Sequence, residues 1–258
     1  MTEERRRGAP IRVGRDIGRV ERTADAVALR RRAEQVAKGG ARAAVLGVND
    51  GLVTNLCLIL AIAGADSSPS AVRLAGFASL IAGAFSMAAG EWVSVRSQAE
   101  LSTGLLGQLR GLIQRDPELV LDELAAQLVE DGFGNETARR ASNELPLDED
   151  RFLSFTARAV FGVNPDELGS PATAAIGSFA LFTVGALVPL FPWFFISGTG
   201  AVSLSVALTA VASVVVGSLV SRSSGNSPLR GGLRQLGIVV LASAITYGIG
   251  ALFGTTVA

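Results

Sequence analysis

Five apolar stretches run along the chain, at roughly 43–65, 71–95, 172–195, 200–221 and 232–254. Each has the ~20 residues an α-helix needs to cross a bilayer. The first two are joined by Asp-Ser-Ser-Pro-Ser (66–70) and the third and fourth by "SGTG", both short turn-forming connections. Between the second and third lies a polar segment, 97–170, too charged to enter lipid. Within it "RDPELVLDELAAQLVEDGFG" predicts a helix with Asp116 as N-cap, Pro117 in the first turn and Gly132 as the stop. Leu119, Leu121, Leu124, Leu128 and Val129 form its expected apolar stripe. Further helices are expected over 134–144 and 149–161, separated by "LPLDED", and "NPDELGSP" leads back to the apolar stretches.

Charge orients this pattern. Of 23 Lys and Arg residues, 12 fall before position 43, six in 97–170 and three in 222–234. The two short connections and the C-terminal tail hold none, and Arg73 is the one basic residue near that side. The positive-inside tendency puts the N-terminus, the 97–170 segment and the 222–234 loop in the cytoplasm and the C-terminus outside. Phe191, Trp193, Phe194 and Phe195 are expected to form an interfacial belt at the outer end of the third helix. The chain then divides into a basic cytoplasmic segment (1–42), membrane helices one and two (43–95), a cytoplasmic helical domain (96–171) and membrane helices three to five (172–258). The fold class is an all-α membrane protein, five transmembrane helices with a cytoplasmic insertion after the second. The first forty residues lack the apolar core of a signal peptide, so targeting is expected from the first membrane helix. Residues 20–38 have helix-forming composition and are expected on the inner surface.

Composition narrows the chemistry. With 49% apolar residues, 30 Gly and a mean hydropathy of +0.42, the chain reads as polytopic. It has no histidine and one cysteine, Cys57, so a metal site must draw on carboxylates, amides, carbonyls, water or a thioether. Arginine supplies nearly all the positive charge, Lys38 being the one lysine, which suits a high-GC bacterial genome. There is no GxxxxGK[ST] loop for nucleotide-driven pumping and no nucleophile–base set, so an enzyme is not expected.

Against that background, polar residues inside the apolar stretches stand out. "VLGVNDGLVTNLCLILAIAGA" carries Asn49 and Asp50 about 10 Å from its cytoplasmic end at the helical rise. A carboxylate in hydrocarbon is costly unless paired or wetted. The second stretch ends "GAFSMAAGEWVSVRSQ", putting Glu91 roughly 6 Å and Met87 roughly 12 Å into the membrane. Asp50, Met87 and Glu91 therefore share one level, with Asn49, Thr54 and Ser86 as neutral oxygens nearby. Two carboxylates and a thioether form a donor set that suits Fe2+ better than Mg2+ or Ca2+. Glycines 47, 51, 83 and 90 permit close helix approach. Taken singly, Asp50 also fits pairing within the bundle, Met87 core packing, and Glu91 an interfacial position.

"RAAVLGVNDGLVTNLCLILAIAGA" and "AGAFSMAAGEWVSVRSQAEL" closely resemble the first two membrane helices of the vacuolar iron transporter family, with "NDG" and "SMAAGE" the specific blocks. "NPDELGSPATAAIGSFALFTVGALVPL" and "LRQLGIVVLASAITYGIGALFG" resemble its later helices, so the likeness covers about 40–256. The resemblance implies a homodimeric transporter that moves Fe2+, and often Mn2+, out of the cytosol in exchange for protons, with metal as cargo and no permanent cofactor. Asp50 and Met87 then line the path, and Glu91 takes the place of the "GE" glutamate. Carboxylates bind metal only when ionised, so Asp50 and Glu91 alternate between proton and metal.

One region departs from the family pattern. Where the family places acids after "SQ", this chain keeps Glu100 but has Thr103, Leu105, Leu109 and Leu112, and no methionine follows in "NELPLDEDRFLSFTARAVFG". Glu118, Asp122, Glu123, Glu130 and Asp131 read as a solvated helix face. The insertion is expected to keep its fold with little metal loading. The rival expectation is a membrane scaffold or sensor that keeps the fold without transport.

Overall fold

A computed structural model describes residues 40–144, 148–165 and 168–257. The N-terminal basic segment, with the helix expected over 20–38, lies outside these residues except at its last positions. Among the described residues the structure is helical: α1 (Gly40–Gly64), α2 (Pro69–Arg115), α3 (Pro117–Glu130), α4 (Asn135–Glu144), α5 (Glu149–Phe161), α6 (Pro171–Leu190), α7 (Gly198–Ser223) and α8 (Pro228–Val257). A 3-10 turn, Phe191–Phe194, follows α6. Five of these helices, α1, α2, α6, α7 and α8, are long and apolar enough to cross a membrane. The chain is thus an all-α membrane protein.

Helix starts follow capping chemistry. Ser68 accepts from the amide of Ala71 (3.3 Å) ahead of Pro69, and Asp116 accepts from Leu119 (3.1 Å) ahead of Pro117. Asp148 caps α5, which closes on Gly162 at φ 65°, a left-handed position that favours glycine.

In the membrane-length bundle α6 packs against both α1 and α2, and α8 against both α1 and α7. Glycine makes these crossings tight. A Cβ on Gly51 would collide with the Phe182 carbonyl, and one on Gly185 with the Val48 carbonyl. Gly217 faces the Gly231 carbonyl at 2.6 Å from its would-be Cβ. Without a hydrophobic force between helices in lipid, such close contact supplies the dispersion energy of association. Phe182, Leu190, Ile59 and Leu80 form the main apolar cluster, and Leu56, Leu60 and Val239 a second.

Four sequence expectations change. The helix does not end with the apolar stretch near residue 95; α2 runs 47 residues in all, from Pro69 to Arg115. Polarity rises after Val95, but nothing between there and Asp116 breaks a helix. The final turns bury Leu109 and Ile113 against α3 and α5. The third stretch stops being α-helical at Leu190, because Pro189 and Pro192 each lack the N–H of the next helical bond. The aromatic belt loses Trp193. Phe191, Phe194 and Phe195 are exposed, whereas Trp193 is 2% exposed and donates its indole N–H to Ser205 Oγ at 3.1 Å. The three-residue period of the 3-10 turn puts 191 and 194 on one side and 193 on the other. In α3 the buried face is Val120, Leu124 and Leu128 with Ala125, while Leu119 and Val129 of the expected stripe are exposed.

Candidate functional site

Asp50 lies on an exposed strip of α1 with Leu46 and Thr54. Four residues apart, Thr54 and Asp50 share a helix face, and Thr54 Oγ1 donates to Asp50 Oδ1 at 2.8 Å. That bond satisfies one lone pair of a carboxylate that can accept about four hydrogen bonds. Asn49, one residue back and half-buried, turns the other way and accepts from Gln235 Nε2 of α8.

Met87 is half-buried and packs against the main apolar cluster. Its Cε lies 3.7 Å from where a Cβ on Gly47 would stand, so the Met87 side chain reaches α1 at Gly47. The contact falls one turn before Gly51, close to the level of Asp50. Glu91, half-buried one turn further along α2, has no hydrogen-bond or ion-pair partner among the described residues. Ser86 is exposed. The structure thus brings Met87 and α1 together and leaves Asp50 and Thr54 on an open face. Among the described residues no three His, Cys, Asp or Glu side chains converge as a metal cage.

The polar helices are held by carbon. Leu109, 4% exposed, sits among Ile113, Val120, Leu124 and Phe152, with Leu112 packed against them. Thr103 is exposed and donates to the Ala99 carbonyl (2.7 Å), and Glu100 pairs with Arg96 (2.6 Å). Glu118, Asp122, Glu123, Glu130 and Asp131 are all exposed. Arg110 reaches Asp150 (2.5 Å) and Gln114 reaches Glu149 (3.1 Å), tying the end of α2 to the start of α5.

Two buried residues escaped the sequence reading. Asn55, fully buried, donates Nδ2 to the Ala186 carbonyl of α6 at 2.6 Å. Gln235, 9% exposed, is the partner of Asn49. Their signal was present, an amide side chain inside an apolar run in each case.

The model of the VIT family matches residues 41–251. The chain is 30% identical over 207 residues to "Vacuolar iron transporter 2" of Oryza sativa subsp. japonica, covering 80% of this chain and 84% of the relative. It is 31% identical over 224 residues to "Vacuolar iron transporter" of Acanthamoeba castellanii, covering 84% and 80%. To "Vacuolar iron transporter homolog 1" of Oryza sativa subsp. japonica it is 31% identical over 221 residues, covering 83% and 73%. With most of its length, including the α1 strip and the Met87 contact, inside that match, the chain belongs to the VIT family.

Proposed function

We propose that this protein is a transporter, not an enzyme, that carries Fe2+, and also Mn2+, from the cytosol across the bacterial cell membrane in exchange for protons. The observation that carries the reading is Asp50, a carboxylate on the open face of a membrane-length helix. Facing lipid it would be costly, so it needs a cover that is polar, wet or charged. A second copy of α1 across a two-fold axis meets that need, since an axis passing beside Asp50 sets the two copies of that carboxylate against each other. Two carboxylates at close range favour a divalent cation between them, and repel each other when it leaves unless protons arrive. That gives antiport its sign. Met87 and Glu91 serve as further ligands beside Asp50, with Asn49, Thr54 and Ser86 as path-lining oxygens.

Orientation rests on the charge bias: the N-terminus, the 97–170 segment with the last turns of α2, and the 222–234 loop are cytoplasmic, and the C-terminus is outside. The family match and the named relatives support iron as cargo. The carbon-filled helices at Leu109 favour the scaffold reading as the second choice. Purified protein in liposomes with an imposed pH gradient tests both. Metal uptake that collapses with the gradient and is lost in Asp50→Ala is expected; uptake indistinguishable from empty liposomes would select the scaffold.

A further inference from the structure

The bundle interior holds polar side chains that lie apart from the Asp50 face. On α7, Ser205, Thr209 and Ser213 recur every fourth residue and are buried. Ser205 is satisfied: it accepts from Trp193 and donates to the Pro189 carbonyl at 2.7 Å. Thr209 Oγ1 and Ser213 Oγ, on fully buried residues, have no hydrogen-bond partner among the described residues. Neither has Oδ1 of the fully buried Asn55, whose amide nitrogen is held by Ala186.

Helix register sets Asn55 and Thr209 at one level. Ser205 meets α6 at Pro189, and Asn55 meets it at Ala186, about 4.5 Å earlier along the axis. α7 returns antiparallel to α6, so Thr209, one turn beyond Ser205, descends about 6 Å to the level of Ala186. From the other side Val202 and Val206 of α7 pack on the cluster of Leu56, Leu60 and Val239, whose Leu56 follows Asn55 on α1. Pro189 has no N–H for the Gly185 carbonyl, so a further acceptor opens at the same place.

The donor count identifies the ligand. Asn55 Oδ1 and the Gly185 carbonyl only accept; the Thr209 and Ser213 hydroxyls donate and accept. Water supplies two donors and accepts from the hydroxyls, and two to four polar partners are what a buried water requires. A hard cation needs about six oxygens, more than this seam offers. We propose that a single chain holds internal water between α1, α6 and α7, bridging Asn55 Oδ1 to the hydroxyls of Thr209 and Ser213. One turn below Ser213, Gly217 abuts Gln235, whose amide donates to Asn49, the neighbour of Asp50. The site therefore lies on the α6 and α7 side of α1, away from the open Asp50 face, independent of whether metal is carried.

Radiolytic hydroxyl labelling of the full-length protein in lipid nanodiscs, resolved by residue, tests this. Leu56, beside the site, is compared with Leu80, equally buried in the main apolar cluster. We expect Leu56 to label several-fold faster than Leu80, and Thr209→Val with Ser213→Ala to bring it down to the Leu80 rate. Equal rates in the unmodified protein overturn the proposal. Should the double variant fail to fold, Thr209→Val alone decides by sign. It lowers the thermal midpoint if the hydroxyl holds water, whereas an unchanged or raised midpoint means a dry hydroxyl and overturns it. A midpoint that rises with sodium but not with choline at equal ionic strength assigns the site to a cation and also overturns it.

Discussion

Gly51→Ala adds one methyl group at the tightest helix crossing beside Asp50. The new Cβ would collide with the Phe182 carbonyl and stand 2.8 Å from the Ala186 amide nitrogen. Both are backbone atoms, so no rotamer change relieves the overlap, and α1 and α6 must part by roughly 1 Å to reach ordinary contact distance. Overpacking of this kind costs about 1–3 kcal/mol. The separation also stretches the 2.6 Å bond from Asn55 to the Ala186 carbonyl, a buried interaction worth about 1 kcal/mol net. The sum is about 2–4 kcal/mol, or a fall of ~4–16 °C in thermal midpoint for a chain of this size. Gly104→Ala is the control. Nothing lies within 4 Å of its added methyl, and helix propensity predicts a gain of up to about 1 kcal/mol. Both variants are melted in one detergent by intrinsic fluorescence, with gel filtration to confirm folding. If Gly51→Ala melts within a degree of the unmodified protein, the two helices are not locked at this crossing and the placement of Asp50 by it is refuted.

Asp50→Ala is expected to abolish metal uptake into proteoliposomes while the protein stays folded; unmodified flux would remove Asp50 from the path. Met87→Leu keeps volume and should cost less than about 1.5 kcal/mol, so loss of the soft ligand alone should lower Fe2+ uptake more than Mn2+ uptake. Equal loss for both ions, read separately and in mixture, would leave Met87 a packing residue of the cluster it touches. Leu109→Ala should destabilise the polar helices by about 2–5 kcal/mol, seen as faster amide exchange in α3 and α5, since its side chain is 4% exposed. Isothermal titration of the intact Asp50→Ala protein with Mn2+ should show no micromolar stoichiometric sites on those helices, whose acids are spread over exposed faces.

The membrane-length helices were legible because apolar runs of that length have few other uses. The end of α6 at Leu190 and the continuation of α2 past Val95 were not. Hydropathy marks where polarity changes, while helix ends depend on lost N–H groups and caps. Trp193 misled for a related reason: its type suits an interface, but the 3-10 turn and Ser205 decide which way it faces. Leu119 and Val129 fit a helical stripe by spacing, yet burial follows Val120, Leu124 and Leu128, a phase fixed only by the neighbours α4, α5 and α2 supply. At the site Asp50 was conspicuous as a charge, whereas Asn55 and Gln235 are neutral and need a partner's position before they mean anything.

The packing also constrains how the proposed transport can proceed. α1 is gripped on the α6 side at Gly51 and Gly185, and on the α8 side at Gly64, where a Cβ would stand 2.7 Å from the Tyr247 carbonyl. Asn55 and Asn49 pin the same two sides through Ala186 and Gln235. Contacts made by backbone on backbone yield little to side-chain rearrangement, so α1 moves with α6 and α8 or not at all. The face left unconstrained is the one bearing Leu46, Asp50 and Thr54. In a dimer of the proposed kind, access to Asp50 therefore changes by rocking whole protomers against each other, not by sliding α1 within one. A cross-link between copies through Leu46→Cys, one turn before Asp50 on the same open face, in a Cys57→Ser background tests this. A bifunctional thiol reagent should stop uptake while leaving metal binding intact. Uptake that continues in fully cross-linked dimers would place the moving part inside the protomer and contradict the rigid grip of these glycines.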